Sequence, residues 1–145
     1  MSTLILQALN QIEEIKNKED GLSGVPSGFS ELDRVTSGWQ KSDLVILAAR
    51  PGMGKTAFVL SMARNTAVKF NMPVAVFSLE MSSVQLVNRL IASESGIPTQ
   101  KLRKGNLEDH EWIQLNQQIT KLSEAPLFID DTPALTIFEL RAKCR

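Results

Sequence analysis

Two stretches of this sequence carry residue types able to do chemistry at the spacing that chemistry needs. The first is Ala49-Arg50-Pro51-Gly52-Met53-Gly54-Lys55-Thr56, lying between an apolar run at 44–48 and the helical pattern that opens with Ala57-Phe58-Val59-Leu60. Holding a phosphate chain takes backbone N–H groups aimed inward, the positive end of a helix facing the anion, and a cation on the outer phosphates. Gly52 and Gly54 allow the backbone to come close and adopt unusual dihedrals, and Pro51 stiffens the entry. Lys55 supplies the cation for the β- and γ-phosphates, and the Thr56 hydroxyl completes a Mg²⁺ shell. The full pattern is G-x-x-x-x-G-K-[ST], with Ala49 where the first Gly belongs. Ala tolerates positive φ poorly, so this loop is expected to enter its turn differently from the commonest form. A chance Gly-Lys-Thr at a helix start would explain neither the preceding apolar run nor the second Gly. The expectation is nucleotide binding.

Binding alone does not hydrolyse, because attack on a γ-phosphate needs a group that orients water. Glu80 follows the apolar run Val74-Ala75-Val76-Phe77-Ser78-Leu79. In open parallel sheets, ligand sites lie beyond the carboxyl ends of strands, so Glu80 is expected to face the phosphate loop. The plainer role is negative charge ahead of a helix beginning near Ser83. Spacing does not decide between the two. Asp130-Asp131 could be read as the metal side of a Walker B motif, but Pro126 precedes its short strand and Thr132-Pro133 follows in turn chemistry. A capping or loop role is expected there.

The elements that must position these groups form an α/β pattern. Short apolar runs at 44–48, 74–79 and 127–129 read as strands of a parallel sheet, alternating with amphipathic helices at 55–70, Ser83–Ser95 and 107–123. Gly96 is the expected stop of the second of these helices, Asn106 the expected cap of the third, and a last helix opens near Thr136. Before the sheet, residues 3–18 place Ile5, Ala8, Leu9, Ile12 and Ile15 at helical spacing. Glu19-Asp20-Gly21 ends that helix, and 21–30 reads as loop. Its apolar face needs cover, from the chain's own core or from a neighbouring subunit.

Composition narrows the function. The chain has 145 residues, with 16 Lys plus Arg against 16 Asp plus Glu, so no overall field attracts nucleic acid or an anionic membrane. With 43% hydrophobic residues it is a globular chain rather than a disordered one. The longest apolar run is far short of a bilayer span, and no signal peptide is evident. One cysteine, Cys144, excludes an internal disulfide, and the cytoplasm is the expected compartment. Lys101, Arg103 and Lys104, with no interleaved aromatics, read as a solvated helix face. His110 reads as a surface residue, and Trp39 and Trp112 as packing residues.

The chain resembles the C-terminal motor domain of bacterial replicative helicases of the DnaB type, ring helicases with a RecA-like fold. The resemblance rests on Gly24-Val25-Pro26-Ser27-Gly28-Phe29 with Leu32-Asp33 and Thr36-Ser37-Gly38, and on Asp43 through Thr56. It continues in Phe77-Ser78-Leu79-Glu80-Met81-Ser82 and Ile129-Asp130-Asp131-Thr132-Pro133. It implies a RecA-like P-loop core, a parallel sheet with helices on both faces, incomplete in this chain: 1–20 a linker helix that docks on an adjacent subunit, and 21–145 the N-terminal part of the ATPase domain. It also implies Ala49 as an accepted loop residue, Glu80 as the water-activating base, and ATP with Mg²⁺ as ligands. Partners would be single-stranded DNA at the fork, a hexameric ring, primase and a helicase loader. The Walker B strand, DNA-contacting loops and basic finger residues would lie beyond 145, and the missing strands would fall between the one ending at Ala48 and the one ending at Leu79. Other RecA-like ring ATPases, such as a recombinase or a clock-type protein, share the loop and Glu80. A non-catalytic nucleotide-binding module is the alternative of a different class. A small-molecule kinase is disfavoured, since no Arg-rich lid segment is seen.

Overall fold

The computed structural model describes residues 2–16 and 22–145, and the chain divides into two units, 1–46 and 47–145. The expected end of the first helix at Glu19-Asp20-Gly21 lies outside the described residues.

In the first unit, helix α1 (Ser2–Lys16) forms where the apolar spacing requires one. Among the described residues of its apolar face, Ile5 is 55% exposed, Leu9 51% and Ile12 60%. Downstream, an antiparallel bridge joins Val25 to Trp39, with Val25 N–H donating to Trp39 O at 2.9 Å and Trp39 N–H to Val25 O at 2.8 Å. Between them lies a short helix, α2 (Ser30–Thr36), where the sequence shows no helical period beyond one turn. It is held from below by the carboxylate of buried Asp33, which accepts the Ser27 hydroxyl at 2.6 Å, Ser27 N–H at 2.8 Å and Gly28 N–H at 3.1 Å. Hydrogen bonds to an ionised acceptor are about twice as strong as neutral ones, so the Pro-Ser-Gly-Phe segment and Asp33 together form a self-contained knot.

The close approach that the bridge requires is visible at Gly24. A Cβ there would sit 2.4 Å from the Trp39 carbonyl oxygen, which is backbone and cannot swing away. Gly24→Ala is therefore expected to lower stability by about 1–3 kcal/mol, the usual cost of overpacking, measured as a fall in the urea midpoint. An unchanged midpoint would show that the bridge opens freely.

The second unit is built on two parallel strands, β1 (Val74–Phe77) and β2 (Leu127–Asp130), with Val74 opposite Leu127 and Phe77 opposite Asp130. Helix α3 (Lys55–Arg64), extended by a π turn (Asn65–Lys69), and helix α4 (Ser83–Ser95) cover one face. Leu60, Leu86 and Leu90 form the core there, packed on Val76, Leu127 and Ile129. On the other face Ala75 and Phe128 are exposed, Phe128 to 65%.

The run at 44–48 is not a strand. It carries no regular structure, and Leu44 and Ile46 are 88% and 82% exposed. Apolarity signals a segment suited to burial, but a strand also needs a neighbour to take its N–H and C=O groups. Among the described residues, none pairs with 44–48.

Helix α4 starts and stops as its sequence requires. Ser82 and Gln85 bond reciprocally at the start, and Gly96, left-handed at φ 69°, ends it. A short helix, α5 (Thr99–Lys104), follows and carries Lys101, Arg103 and Lys104, the residues read as a helix face. Helix α6 (Asp109–Glu124) begins later than expected, capped at Glu108 and not at Asn106. The reason is Glu111, which accepts Glu108 N–H at 3.0 Å and Lys101 Nζ at 2.7 Å, tying α6 to α5. The lysine bond, followed by the backbone bond, lowers the Glu111 pKa, and the same contact raises that of Lys101. Trp112, on the outer side of α6, is 48% exposed and so is not the packing residue expected. His110 lies on the surface, with Glu108 3.4 Å away.

Helix α7 (Ile137–Lys143) is capped by Thr136 and tied to the end of β2 by Lys143, which bonds Asp130 and the Thr132 hydroxyl. Lys143 first, then Thr132, holds the Asp130 carboxyl at about 2 against an ordinary 3.8. A depressed carboxyl contributes stability that is present above its unfolded pKa and lost as pH falls through the folded one. The α7 anchor is therefore expected to hold above about pH 4 and to release towards pH 2. Amide exchange of α7 should show a loss of protection in that window, and Lys143→Ala should reduce the step to the part contributed by Glu139, whose pKa is lowered by its bonds to Thr136 at the start of the helix. An α7 equally protected at both ends would overturn this assignment.

Candidate nucleotide site

The loop 49–56 takes its shape from two glycines. Gly52 and Gly54 have φ of 76° and 85°, and a Cβ at either would meet nothing within 4 Å. Glycine is needed here for the left-handed backbone and not for space. Ala49 is not among the described residues with positive φ. The left-handed turns fall on Gly52 and Gly54, so Ala49 carries no strain, which resolves the departure from the full motif.

Gly54 is also the N-cap of α3, and it offers no side chain to the helix. The first helical bond runs from Phe58 N–H to Gly54 O at 2.9 Å, and Met53 N–H closes a turn on Arg50 O at 3.2 Å. By helix geometry the N–H groups of Lys55, Thr56 and Ala57 have no earlier carbonyl to bind. They form a donor set at the positive end of the helix, where an anion is stabilised.

Ala49, Arg50, Pro51, Gly52, Met53, Gly54, Lys55, Thr56 and Ala57 line one cavity of about 440 Å³, and Glu80 and Arg89 complete its wall. That volume falls in the usual range for a small-molecule site. The lining holds three cations, Arg50, Lys55 and Arg89, against one carboxylate, so it favours a polyanion. Among the described residues none of these four charged groups has an ion-pair or hydrogen-bond partner. Lys55, Thr56 and Glu80 also border a second cavity of about 430 Å³ whose walls include Val59, Val76 and Leu86. Every expected loop residue and Glu80 thus meet at one place.

Glu80 reaches the cavity because β1 ends at Phe77 and the chain then turns sharply. The Ser78 hydroxyl donates to Met81 O at 2.7 Å and accepts Met81 N–H at 3.1 Å, pinching the turn that carries Glu80. The start of α4 is already served by others. Ser82 caps it, and Asp131 accepts Ser83 N–H at 2.7 Å and the Ser83 hydroxyl at 2.9 Å, the bonds that lower the Asp131 pKa. Asp130 is engaged by Lys143, so the Asp130-Asp131 pair caps and anchors, as its turn chemistry indicates.

Sequence reasoning missed Arg89. A lone arginine within a helix gives no sign in the sequence of what lies opposite it.

For Mg²⁺, the donor set fits a nucleotide-borne ion. Thr56 brings one hydroxyl to the cavity, and Mg²⁺ ordinarily keeps several waters and takes few protein ligands beside phosphate oxygens.

Comparison with known proteins places the family and the fold. The family described as DnaB-like helicase C terminal domain matches residues 24–145. The chain is 49% identical over 142 residues to "Replicative DNA helicase DnaB" of Geobacillus stearothermophilus, covering 98% of this chain and 31% of that protein. It is 46% identical, over the same shares, to "Replicative DNA helicase DnaC" of Bacillus subtilis (strain 168). The chain thus spans about a third of the length of these curated relatives. Among solved structures, one described as an ATPase domain superposes with a TM-score of 0.87 at 35% identity, covering 97% of this chain and 50% of that one. "The Structure Of A DnaB-Like Replicative Helicase And Its Interactions With Primase" gives 0.84 at 34% identity, over 93% of this chain and 33% of that one. The α/β pattern with its parallel sheet is accordingly that of the RecA-like ATPase domain of these helicases, and the chain belongs to the DnaB-like helicase C-terminal domain family.

Proposed function

We propose that this chain holds MgATP for a replicative DNA helicase, which in its complete form unwinds duplex DNA at the fork by ATP-driven translocation on single-stranded DNA. The observation that carries this reading is the cavity in which the loop 49–56 and Glu80 meet. The N–H groups of Lys55, Thr56 and Ala57 and the backbone at Gly52 and Gly54 grip the phosphates, with Ala49, Arg50, Pro51 and Met53 completing the loop. Lys55 and Arg89 neutralise the outer phosphates, and Thr56 gives its hydroxyl to Mg²⁺. When bound, Mg²⁺ offsets charge that builds on the phosphate oxygens during transfer. Glu80 accepts a proton from the attacking water and orients it.

Residues 1–20 serve as the linker helix and 21–145 as the first part of the ATPase domain. The uncovered apolar face of α1 supports docking on an adjacent subunit of a hexameric ring. Single-stranded DNA, primase and a helicase loader are the further partners of the complete protein, working in the cytoplasm. No described helix is long and apolar enough to cross a membrane. For the 145-residue chain alone we expect weak MgATP binding with little turnover, and robust turnover by the purified chain would contradict this.

A forked DNA substrate tests the reading. The complete protein should displace the labelled strand only with hydrolysable ATP. ATP-driven strand exchange without displacement would point to a recombinase instead.

A further inference from the structure

Beside the phosphate cavity runs a larger cleft of about 930 Å³, walled by α3, α4, the segment 96–98 and α5. The most deeply buried residues of its lining are apolar, Leu60, Leu90 and Ile97, while Ser61, Gln85, Asn88, Ser93 and Thr99 line it as well. Its charged lining consists of two arginines, Arg89 and Arg103, with no carboxylate. Neither arginine has an ion-pair or hydrogen-bond partner among the described residues. No aromatic side chain among the described residues lines the cleft, so it offers no stacking platform for bases. Guanidinium groups beside buried apolar residues suit carboxylates carried on an apolar backbone, since Arg pairs with carboxylate in a bidentate fork.

We infer that this cleft docks an acidic amphipathic segment of a partner protein, and that Arg89, which walls both the cleft and the phosphate cavity, couples that docking to nucleotide binding. One guanidinium cannot pair fully with a partner carboxylate and a nucleotide phosphate together. Each ligand therefore weakens the other by the same factor, as reciprocity of binding free energies requires. Docking rests on the cleft alone; the coupling rests also on the proposed nucleotide reading.

The test uses the whole chain and a fluorescein-labelled helical peptide with Leu on one face and Glu at i,i+4 spacing, beside its Glu→Gln counterpart and a labelled oligo-dT strand. The Glu peptide should bind saturably and weaken with salt, while the Gln peptide and oligo-dT should bind at least tenfold more weakly. Arg103→Glu should weaken Glu-peptide binding at least tenfold and leave binding of a fluorescent ATP analogue unchanged. Saturating MgATP should weaken the peptide about threefold to tenfold, within the ordinary range of allosteric coupling, and Arg89→Ala should remove that antagonism. Equal binding of the Glu and Gln peptides, no saturable binding up to about 1 mM, or indifference to Arg103→Glu would overturn the docking. Preferential binding of oligo-dT, lost in Arg103→Glu, would make the cleft a nucleic-acid surface and overturn it as well. Peptide binding without antagonism, in a chain that does bind the ATP analogue, would overturn the coupling. A chain that binds the peptide but no nucleotide would overturn the coupling together with the nucleotide reading, leaving the docking intact.

Discussion

Replacing Lys55 with Ala in the complete protein is expected to abolish both ATP turnover and strand displacement. Lys55 is the first residue of α3 and lines the phosphate cavity with its charge uncommitted to any described carboxylate. The alanine variant keeps the loop backbone and its N–H donors but loses the cation that moves with the transferring phosphoryl group. Preorganised charge of this kind is worth about 10²–10³ in rate, and the loss should appear in nucleotide affinity too, because the ground state is also a polyanion. The check is steady-state ATPase together with titration of a fluorescent ATP analogue. Turnover within a few-fold of the unaltered protein would remove the basis for the motor reading.

Glu80→Gln should give a different signature. The amide keeps size and hydrogen-bonding reach but cannot take a proton, so MgATP binding should persist while hydrolysis falls about 10²–10⁴-fold, the usual range for a general base. Nucleotide trapped without turnover, with strand displacement lost in parallel, is the expected result. The competing role for Glu80, charge ahead of α4, predicts instead a stability change of about 0.3–1 kcal/mol with turnover intact. The structure weakens that alternative, because Ser82 and Asp131 already serve the start of α4. A Glu80→Gln protein that hydrolyses at full rate would move catalysis to another residue.

The parts of the site that were legible in the sequence are those governed by local rules. A helix must begin where a glycine-bearing loop meets Lys55-Thr56 after an apolar run. The left-handed backbone at Gly52 and Gly54 follows from the residue type. Ser82, Gln85 and Gly96 bound α4 by local capping chemistry, and Thr136 does the same for α7. Asp130-Asp131 reads as turn and cap for the same reason. Even α1 is recognisable, since its apolar spacing needs no neighbour to be seen.

What failed required knowledge of a distant partner. The run at 44–48 has the composition of a central strand, yet strand formation depends on a ladder, which no periodicity reports. Asn106 lost the cap to Glu108 because Glu111 is also held by Lys101, on another helix. Helix α2 passed unnoticed because it is stabilised less by its own period than by Asp33 reaching back to Ser27.

By itself, then, the sequence determined the glycine-bearing loop with its left-handed turns, the helix behind it, and the presence of a carboxylate after the next strand. Each is dictated by backbone dihedrals, capping and hydrophobic period within a few residues. Only the tertiary structure decided that Glu80 shares the loop's cavity and that Arg89 stands between this cavity and the cleft beside it. Which groups converge depends on how helices pack over a sheet, and packing joins residues far apart in the chain.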